Sequence, residues 1–373
     1  MKRSYSWHKL SGLLLSAVIL VTGCGGGSGS EGKTASKPAA KVENLPAGIA
    51  EKEEVKLMVI RKIGGDDHTA QFLAGAKQEG EALGFKVDTF TANNDTAKFH
   101  DAIAQAMDNG YDGVVLSHGD DPATVEDVKK LKDKGIPVVA FDSVPELADV
   151  EGVTVTSQDD ETLAKLALDR LVEEQGPDAN IVYLWVDGFP PMVRRNAVYQ
   201  ETLKNNPGIK EVERFGVVSS DTSVDTQNAV AAMLTKHPKG EIDAIYATWD
   251  AFAIGAARAL IEAGRTEIKI YGIDVSNSDL EIMQKPDSPW VATAAVDPKT
   301  IGAVNVRLLA KKIAGEKTPS THSLAATLID RASLDKSGEA VNMTNLSNLI
   351  PGWGTSTDFE EDWMKALKQA NGK

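Results

Sequence analysis

The residues that could do chemistry in this sequence collect just after short apolar runs. Arg61, Lys62, Asp66, Asp67 and His68 follow the run 55–60, and Ser117, His118, Asp120 and Asp121 follow 113–116. Asp142 and Ser143 follow 137–141. Further on, Asp187, Phe189, Arg194 and Arg195 follow 180–186, Asp221 follows 212–218, Thr248, Trp249 and Asp250 follow 243–247, and Asp274, Ser276 and Asn277 follow 268–272. This is mixed charge with a few aromatics. A polyhydroxylated molecule needs that mix: each hydroxyl both donates and accepts, so carboxylates and guanidinium forks can share it. Its C–H faces need a flat apolar surface, which Trp or Phe supplies.

Bonds need not be broken there. The sequence has no G-x-S-x-G elbow, no H-E-x-x-H, no C-x-x-C and no G-x-G-x-x-G joining strand to helix. Six scattered histidines, His68 and His118 included, lack the paired spacing of a metal site, so neither metal nor cofactor is expected. Asp121 and Asp250 sit where a helix N-cap belongs and are read as caps. Asp274 could cap a helix or meet a ligand. Trp249, between a strand and a helix, is read as a binding residue. Arg194 and Arg195 are adjacent, so a helix can turn only one of them inward. The candidate binding set is therefore Lys62, Asp66, Asp67, His68, His118, Asp142, Ser143, Arg194, Arg195, Asp221, Trp249 and Asp274.

The elements that position these residues follow from periodicity. Apolar strands alternate with amphipathic helices at 70–83, from Asn94 or Asp95 to Gly110, from Asp121-Pro122 to Gly135, and at 159–174, 193–204, 224–236, 250–263 and 277–284, with a long helix between Pro298 and Gly315. Strand–helix alternation means βαβ units, parallel sheets and right-handed crossovers. About ten strands exceed one comfortable sheet, so the fold class is α/β with two lobes. In such sheets ligands bind beyond the carboxyl ends of the strands, where the residues above lie. After residue 330 the alternation stops; 351–354 reads as a turn and 359–369 as a short helix with Phe359, Trp363 and Leu367 on one face.

Length and composition agree with this: 373 residues, 42% hydrophobic and 25% charged, suit a two-domain globular protein. A formal charge of −14 argues against a nucleic-acid partner, because an acidic surface repels phosphates. The first residues carry Lys2, Arg3 and Lys9, then an apolar stretch over 13–21, then Val21-Thr22-Gly23-Cys24. This reads as a signal peptide of residues 1–23. Its end resembles the bacterial lipobox, which implies diacylglycerol on Cys24, the sole cysteine, and a membrane anchor. Residues 24–52 are the anchor and a Gly/Ser/Ala-rich tether. A P-loop pattern runs from Gly27 to Thr34, but a leader precedes it and Pro38 and Pro46 follow, so it lacks the strand and helix a phosphate cradle needs.

Residues 53 to 330 resemble the type I periplasmic binding proteins of the ribose, galactose and xylose group, the substrate-binding components of bacterial ABC importers. The resemblance rests on Gly75-Ala76 with Leu83-Gly84, the run from Gly135 to Asp142, Gln158-Asp159-Asp160, and Thr235-Lys236-His237-Pro238. It continues through Asp243 to Ala247, Asp250 to Ala256, Tyr271-Gly272-Ile273-Asp274, and Ala292 to Ala295 with Asp297-Pro298. It implies two Rossmann-like lobes with three crossing hinge segments, closing on a sugar or polyol for delivery to an ABC permease. It implies lobes of 53–158 plus 297–328 and of 159–296 plus 329–345, leaving 346–373 as an extension. Asp142 and Asp274 match family aspartates that grip hydroxyls, and Arg194 or Arg195 falls near the family's binding arginine. His118 stands where Asn is frequent, Trp249 replaces a frequent Asn, and Val296 replaces a frequent Gln. Asp66-Asp67-His68 occupies a place where aromatics often stack, so the stacking surface is expected to have moved to Trp249. An inositol or amino sugar is open as ligand. Two other readings stand beside import: a sensory binding protein that presents a signal molecule to a membrane receptor, and an α/β enzyme.

Overall fold

The computed structural model describes residues 42–373. The leader, Cys24, most of the tether and the P-loop pattern lie outside the described residues. After one turn, α1 (Ala47–Ala50), come β1 (Lys56–Arg61), α2 (Asp67–Ala82), β2 (Lys86–Thr91), α3 (Thr96–Asp108), β3 (Gly113–Ser117), α4 (Pro122–Asp133), β4 (Val138–Phe141) and β5 (Thr154–Gln158). A second series follows: α5 (Asp160–Gln175), β6 (Asn180–Leu184), α6 (Pro190–Asn205), β7 (Lys210–Phe215), α7 (Thr222–Lys236), β8 (Ala244–Ala247), α8 (Asp250–Glu262), β9 (Lys269–Ile273), α9 (Asn277–Met283) and β10 (Trp290–Ala295). The chain ends with α10 (Pro298–Ile313), β11 (Thr321–Leu324), β12 (Thr327–Asp330), α11 (Arg331–Asp335) and α12 (Asp362–Ala370). Among the described residues no helix is long and apolar enough to cross a membrane.

The strands form two six-stranded sheets. The first runs β11-β5-β4-β3-β1-β2 and the second β12-β10-β9-β8-β6-β7. Every pairing is parallel except β10 with β12. Helices cover both faces, so the central strands are apolar throughout; β3 and β4 are buried along their whole length. The chain passes between the sheets three times: from β5 into α5, from β10 into α10, and from β11 into β12. Since β12 begins at Thr327, the last passage falls at Ala325 and Ala326, ahead of the expected break at 328. Strands β5, β11 and β12 had no apolar run to announce them. All three are short, β5 and β11 are rich in Thr and Ser, and β11 and β12 lie on sheet edges.

Four helices of the first lobe and its border start alike. Asp66, Asp95, Asp121 and Asp159 each accept a bond from the backbone N–H three residues on, at 2.6, 3.1, 3.0 and 3.1 Å. Asp66 thus caps α2, which starts three residues earlier than the periodicity suggested, and Asp67 and His68 belong to its first turn. At Asp250 the expectation of a cap fails. Trp249 is the residue before the helix, and Asp250 is its first, fully buried residue.

Returning after the second crossing, α10 locks onto α2. A Cβ on Gly75 would run into the Lys299 backbone, and one on Gly302 into the Phe72 carbonyl. The C-terminal segment touches both lobes. Val341, Met343, Leu346, Ile350 and Trp353 join the core of the second lobe. Met364, fully buried, joins that of the first, with Phe359, Trp363 and Leu367 packed around it. One such side chain contributes about 1.5–3 kcal/mol of burial. Polar contacts reinforce the attachment: Arg307 donates to Glu79 and to the Ser356 carbonyl, both at 2.6 Å, and Lys368 pairs with Glu79 at 2.7 Å. Residues 346–373 are therefore a fourth connection across the two lobes.

Candidate functional site

The carboxyl ends of the two sheets face one another across a cleft with about 550 Å³ of atom-free space, part of it open to solvent. Three of its residues share an unusual backbone. His118, Asp142 and Asp274 end β3, β4 and β9 with φ of +63°, +47° and +76°. Asn, Asp and His enter this left-handed region far more readily than other side-chain-bearing residues. The turn aims each side chain off its strand end into the cleft, and the backbone strain it stores is of the kind found at ligand sites.

The wall from the first lobe is mostly polar. Arg61, Asp66, His68, His118, Asp142 and Gln158 line it, beside Ile63 and Phe141. Arg61, at the end of β1, reaches Thr69 at 3.0 Å, Ser117 at 3.2 Å and His68 Nδ1 at 3.4 Å, and lies over the Phe72 ring. A guanidinium can only donate, so His68 Nδ1 accepts and Nε2 carries the proton. That Nε2 is buried with no protein partner. Burial pulls the His68 imidazole below its ordinary range, and burial with the nearby Arg61 charge pulls His118 well below. Both rings are neutral at physiological pH and can meet hydroxyls. His118 rests edge-on against Phe141, 5.7 Å between centroids, with its Nδ1 2.7 Å from the Ser117 hydroxyl. Burial also raises Asp66, but Arg61, His68 and the bonds from Thr69 outweigh it and hold the carboxylate low.

The facing wall is mostly apolar: Val186, Phe189, Pro191, Met192, Val218 and Trp249, with Arg195 and Asp274 as its charged members. Arg195 settles the question of the adjacent arginines. It is the buried one, donating to Asp160 at 2.7 Å, to the Thr248 carbonyl at 2.6 Å and to Asp274 at 3.3 Å. Burial would lower its pKa, yet Asp274, Asp160 and Asp142 together raise it. Arg194 lies at the rim, bonded to Asp160 at 2.8 Å and across the cleft to Asp142 at 3.1 Å. Burial, and next the charge of Asp160, push the Asp142 carboxyl up to about 8.

Two more bonds join the lobes. The Asn277 N–H donates to Asp67 at 2.7 Å, and Gln158 donates to Asp274 at 3.1 Å. The lobes are thus closed on one another. Gln158 Oε1 is buried without a protein partner, so this wall offers an acceptor as well as the His68 donor. With Asp142 largely neutral, Arg61, Arg194 and Arg195 stand against Asp66, Asp160 and Asp274.

Seven expected residues meet at this cavity: Asp66, His68, His118, Asp142, Arg195, Trp249 and Asp274. The other five lie around it. Lys62 pairs with Asp120. Ser143 is buried under the Gly119 N–H and the Phe141 carbonyl. Asp67 bonds across the lobes and Arg194 bridges at the rim. Asp221 is the exposed N-cap of α7, bonded to Val224. Arg61, Gln158, Phe189, Met192 and Val218 line the cavity without having been in the candidate set. The position of Arg61 and Phe189 just after strands was the available signal for those two. Gln158 ends a strand that had no apolar run, and Met192 and Val218 are apolar residues indistinguishable from core.

Residues 57–317 match the family model described as a periplasmic binding protein domain. The chain belongs to that family. Members bind solutes rather than transform them, outside the cytoplasm. This periplasmic binding protein is similar to the ribose import binding protein of Salmonella typhimurium, 26% identical over 260 residues that cover 68% of this chain and 83% of that one. Among solved structures it is similar to a sugar ABC transporter protein of Yersinia enterocolitica, with 51% identity, TM-score 0.86, and coverage of 89% of this chain and 100% of that one. It is also similar to the 5-methylthioribose transporter solute binding protein of Thermotoga lettingae, solved with 5-methylthioribose: 32% identity, TM-score 0.80, and 84% and 98% coverage. The TM-scores show that this periplasmic binding protein shares its overall architecture with the two solved structures.

Proposed function

We propose that this chain is the solute-binding component of an ABC importer, and that it captures one neutral sugar or sugar-like polyol between its lobes. The observation that carries this is the cavity itself. It lies between two closed lobes, presents a buried donor at His68 and a buried acceptor at Gln158, and balances its guanidiniums with carboxylates. A neutral polyhydroxylated ligand satisfies such groups without adding uncompensated charge. That balance weighs against an amino sugar and favours the uncharged polyols. Ribose and 5-methylthioribose, named for the Salmonella and Thermotoga proteins, both belong to this class. Closure follows from ligand contacts with both walls, which only the shut form allows. The shut form is then what the permease recognises. Transport rather than presentation to a receptor is what the named relatives do. The lobe boundaries follow the three crossings, and Cys24 carries the lipid that holds the protein at the outer face of the cell membrane, with residues 25–52 as tether.

Thermal-shift titration with ribose, other pentoses, hexoses and inositols tests the reading. A ligand at a hundred times its Kd adds about 2.7 kcal/mol to stability and raises Tm visibly. Stabilisation by amino acids and by no carbohydrate would overturn the ligand class. Membrane fractionation of the Cys24→Ala variant tests the anchor: wild type should sediment with membranes and the variant should be released.

A further inference from the structure

The two walls of the cavity do not match, and the mismatch says more about the ligand than either wall alone. A sugar with hydroxyls all round presents polar groups in every direction of its ring plane. The first wall has partners for them. Of the second, only Arg195, Asp274 and the indole N–H of Trp249 do; the rest is Val186, Phe189, Pro191, Met192 and Val218. One flat ring is enough to cover the C–H face of a sugar. Two valines, a proline and a methionine are not flat and make a blunt aliphatic end.

The polar groups nearest that end are already used. The Trp185 indole N–H donates to the Met192 carbonyl at 2.9 Å. The Thr248 hydroxyl donates to the Leu184 carbonyl at 2.9 Å, with Met192 Sδ 3.3 Å away, and the Thr248 carbonyl accepts from Arg195. A ligand hydroxyl pushed among Val186, Pro191, Met192 and Val218 would lose its water and gain no side-chain partner, at a cost of roughly tenfold to a hundredfold in affinity.

We infer, resting on the sugar-binding reading above, that the ligand is amphipathic: a pentose with its ring hydroxyls on the first wall and a short alkyl or thioether group replacing its exocyclic hydroxyl. The ring hydroxyls meet His68, Gln158 and Asp142, and Asp274 reaches them from the second wall. The apolar arm lies against Met192, Phe189, Val218 and Trp249, where the pliable Met192 thioether can mould to it.

Isothermal titration with ribose, 5-deoxyribose, 5-deoxy-5-ethylthioribose, glucose and galactose tests this. The expected order is ethylthioribose tightest, at least tenfold over ribose, with 5-deoxyribose between them. In Val218→Thr, which adds a hydroxyl at nearly constant volume, ribose should gain on ethylthioribose and narrow the gap severalfold. Ribose or a hexose binding as tightly as ethylthioribose would overturn the amphipathic ligand while leaving the sugar-binding function in place. Binding of none of the five would overturn the amphipathic pentose, and the sugar-binding reading falls with it only if the other pentoses, hexoses and inositols of the thermal-shift series also leave Tm unchanged.

Discussion

The two walls of the cleft are built by the same repeated strand–loop–helix unit, yet they hold different chemistry. On the first wall the strand ends carry Arg61, His118 and Asp142, and the helix start adds Asp66 and His68. On the second the corresponding places carry Phe189, Val218 and Trp249, with charge only at Arg195 and Asp274. The comparison teaches how one architecture divides labour. In the proposed function the polar wall meets the ligand's hydroxyls, and the apolar wall excludes water and so strengthens the electrostatic contacts opposite. Arg195 and Asp274 tie the two together, since each bonds to a group that also faces the other lobe.

The largest effect should come from the charged anchor of the apolar wall. Arg195→Met leaves Asp160 and Asp274 buried beside a chain that cannot donate. Removing one partner from such a network costs about 3–5 kcal/mol. Urea unfolding should show that loss, and a variant as stable as wild type would mean the network is not the tie described here. On the polar wall, Asp142→Ala should lower affinity by about 2–4 kcal/mol with little loss of stability, read by titration calorimetry. Unchanged affinity would take Asp142 out of the ligand's reach. Trp249→Ala should cost about 1–3 kcal/mol of affinity, and more for a ligand with an apolar arm than for ribose. Equal losses for both would show that the two walls do not divide the ligand between them.

The smallest effect concerns protons. The Asp142 carboxyl ionises at an ordinary 3.8 when unfolded and is pushed up to about 8 in the folded protein by burial and by Asp160. Between those values the folded form holds a proton that the unfolded form has lost. The contribution to stability is therefore fullest below about 4 and is lost as pH rises through about 8. A ligand hydroxyl donating to Asp142 favours its carboxylate, so binding at neutral pH should release a fraction of a proton and tighten as pH rises. Calorimetry in buffers of different ionisation heat measures that release; Asp142→Asn should abolish it. Proton uptake on binding would reverse the assignment of Asp142 as acceptor.

Much of the polar wall was legible in the chain. Asp66, His68, His118 and Asp142 stand directly after apolar runs, and βαβ topology sends such residues to one edge of a sheet. Gln158 was not, because β5 pairs inside the sheet without an apolar run of its own. Met192 and Val218 were not, because an apolar side chain in a cleft has the same sequence pattern as one in a core. Trp249 was an exception, since an aromatic between strand and helix has no ordinary packing role. Val218 in particular was placed inside a strand; the strand stops at Phe215, and that leaves Val218 free to reach the cavity.

The linear order of apolar and polar residues determined the parallel sheets, the two lobes, the cap at Asp121 and the rim of strand-end polar residues, because these follow from local periodicity and hydrogen-bonding geometry. Three things were decided only when distant segments met. The choice between Arg194 and Arg195 rests on where Asp160 and Asp274 lie, 35 and 79 residues from Arg195. The protonation of Asp142 rests on burial between lobes and on its neighbour Asp160. The C-terminal strap rests on Trp353 and Met364 finding separate cores. Each is a matter of desolvation and long-range contact, and no local pattern in a chain encodes those.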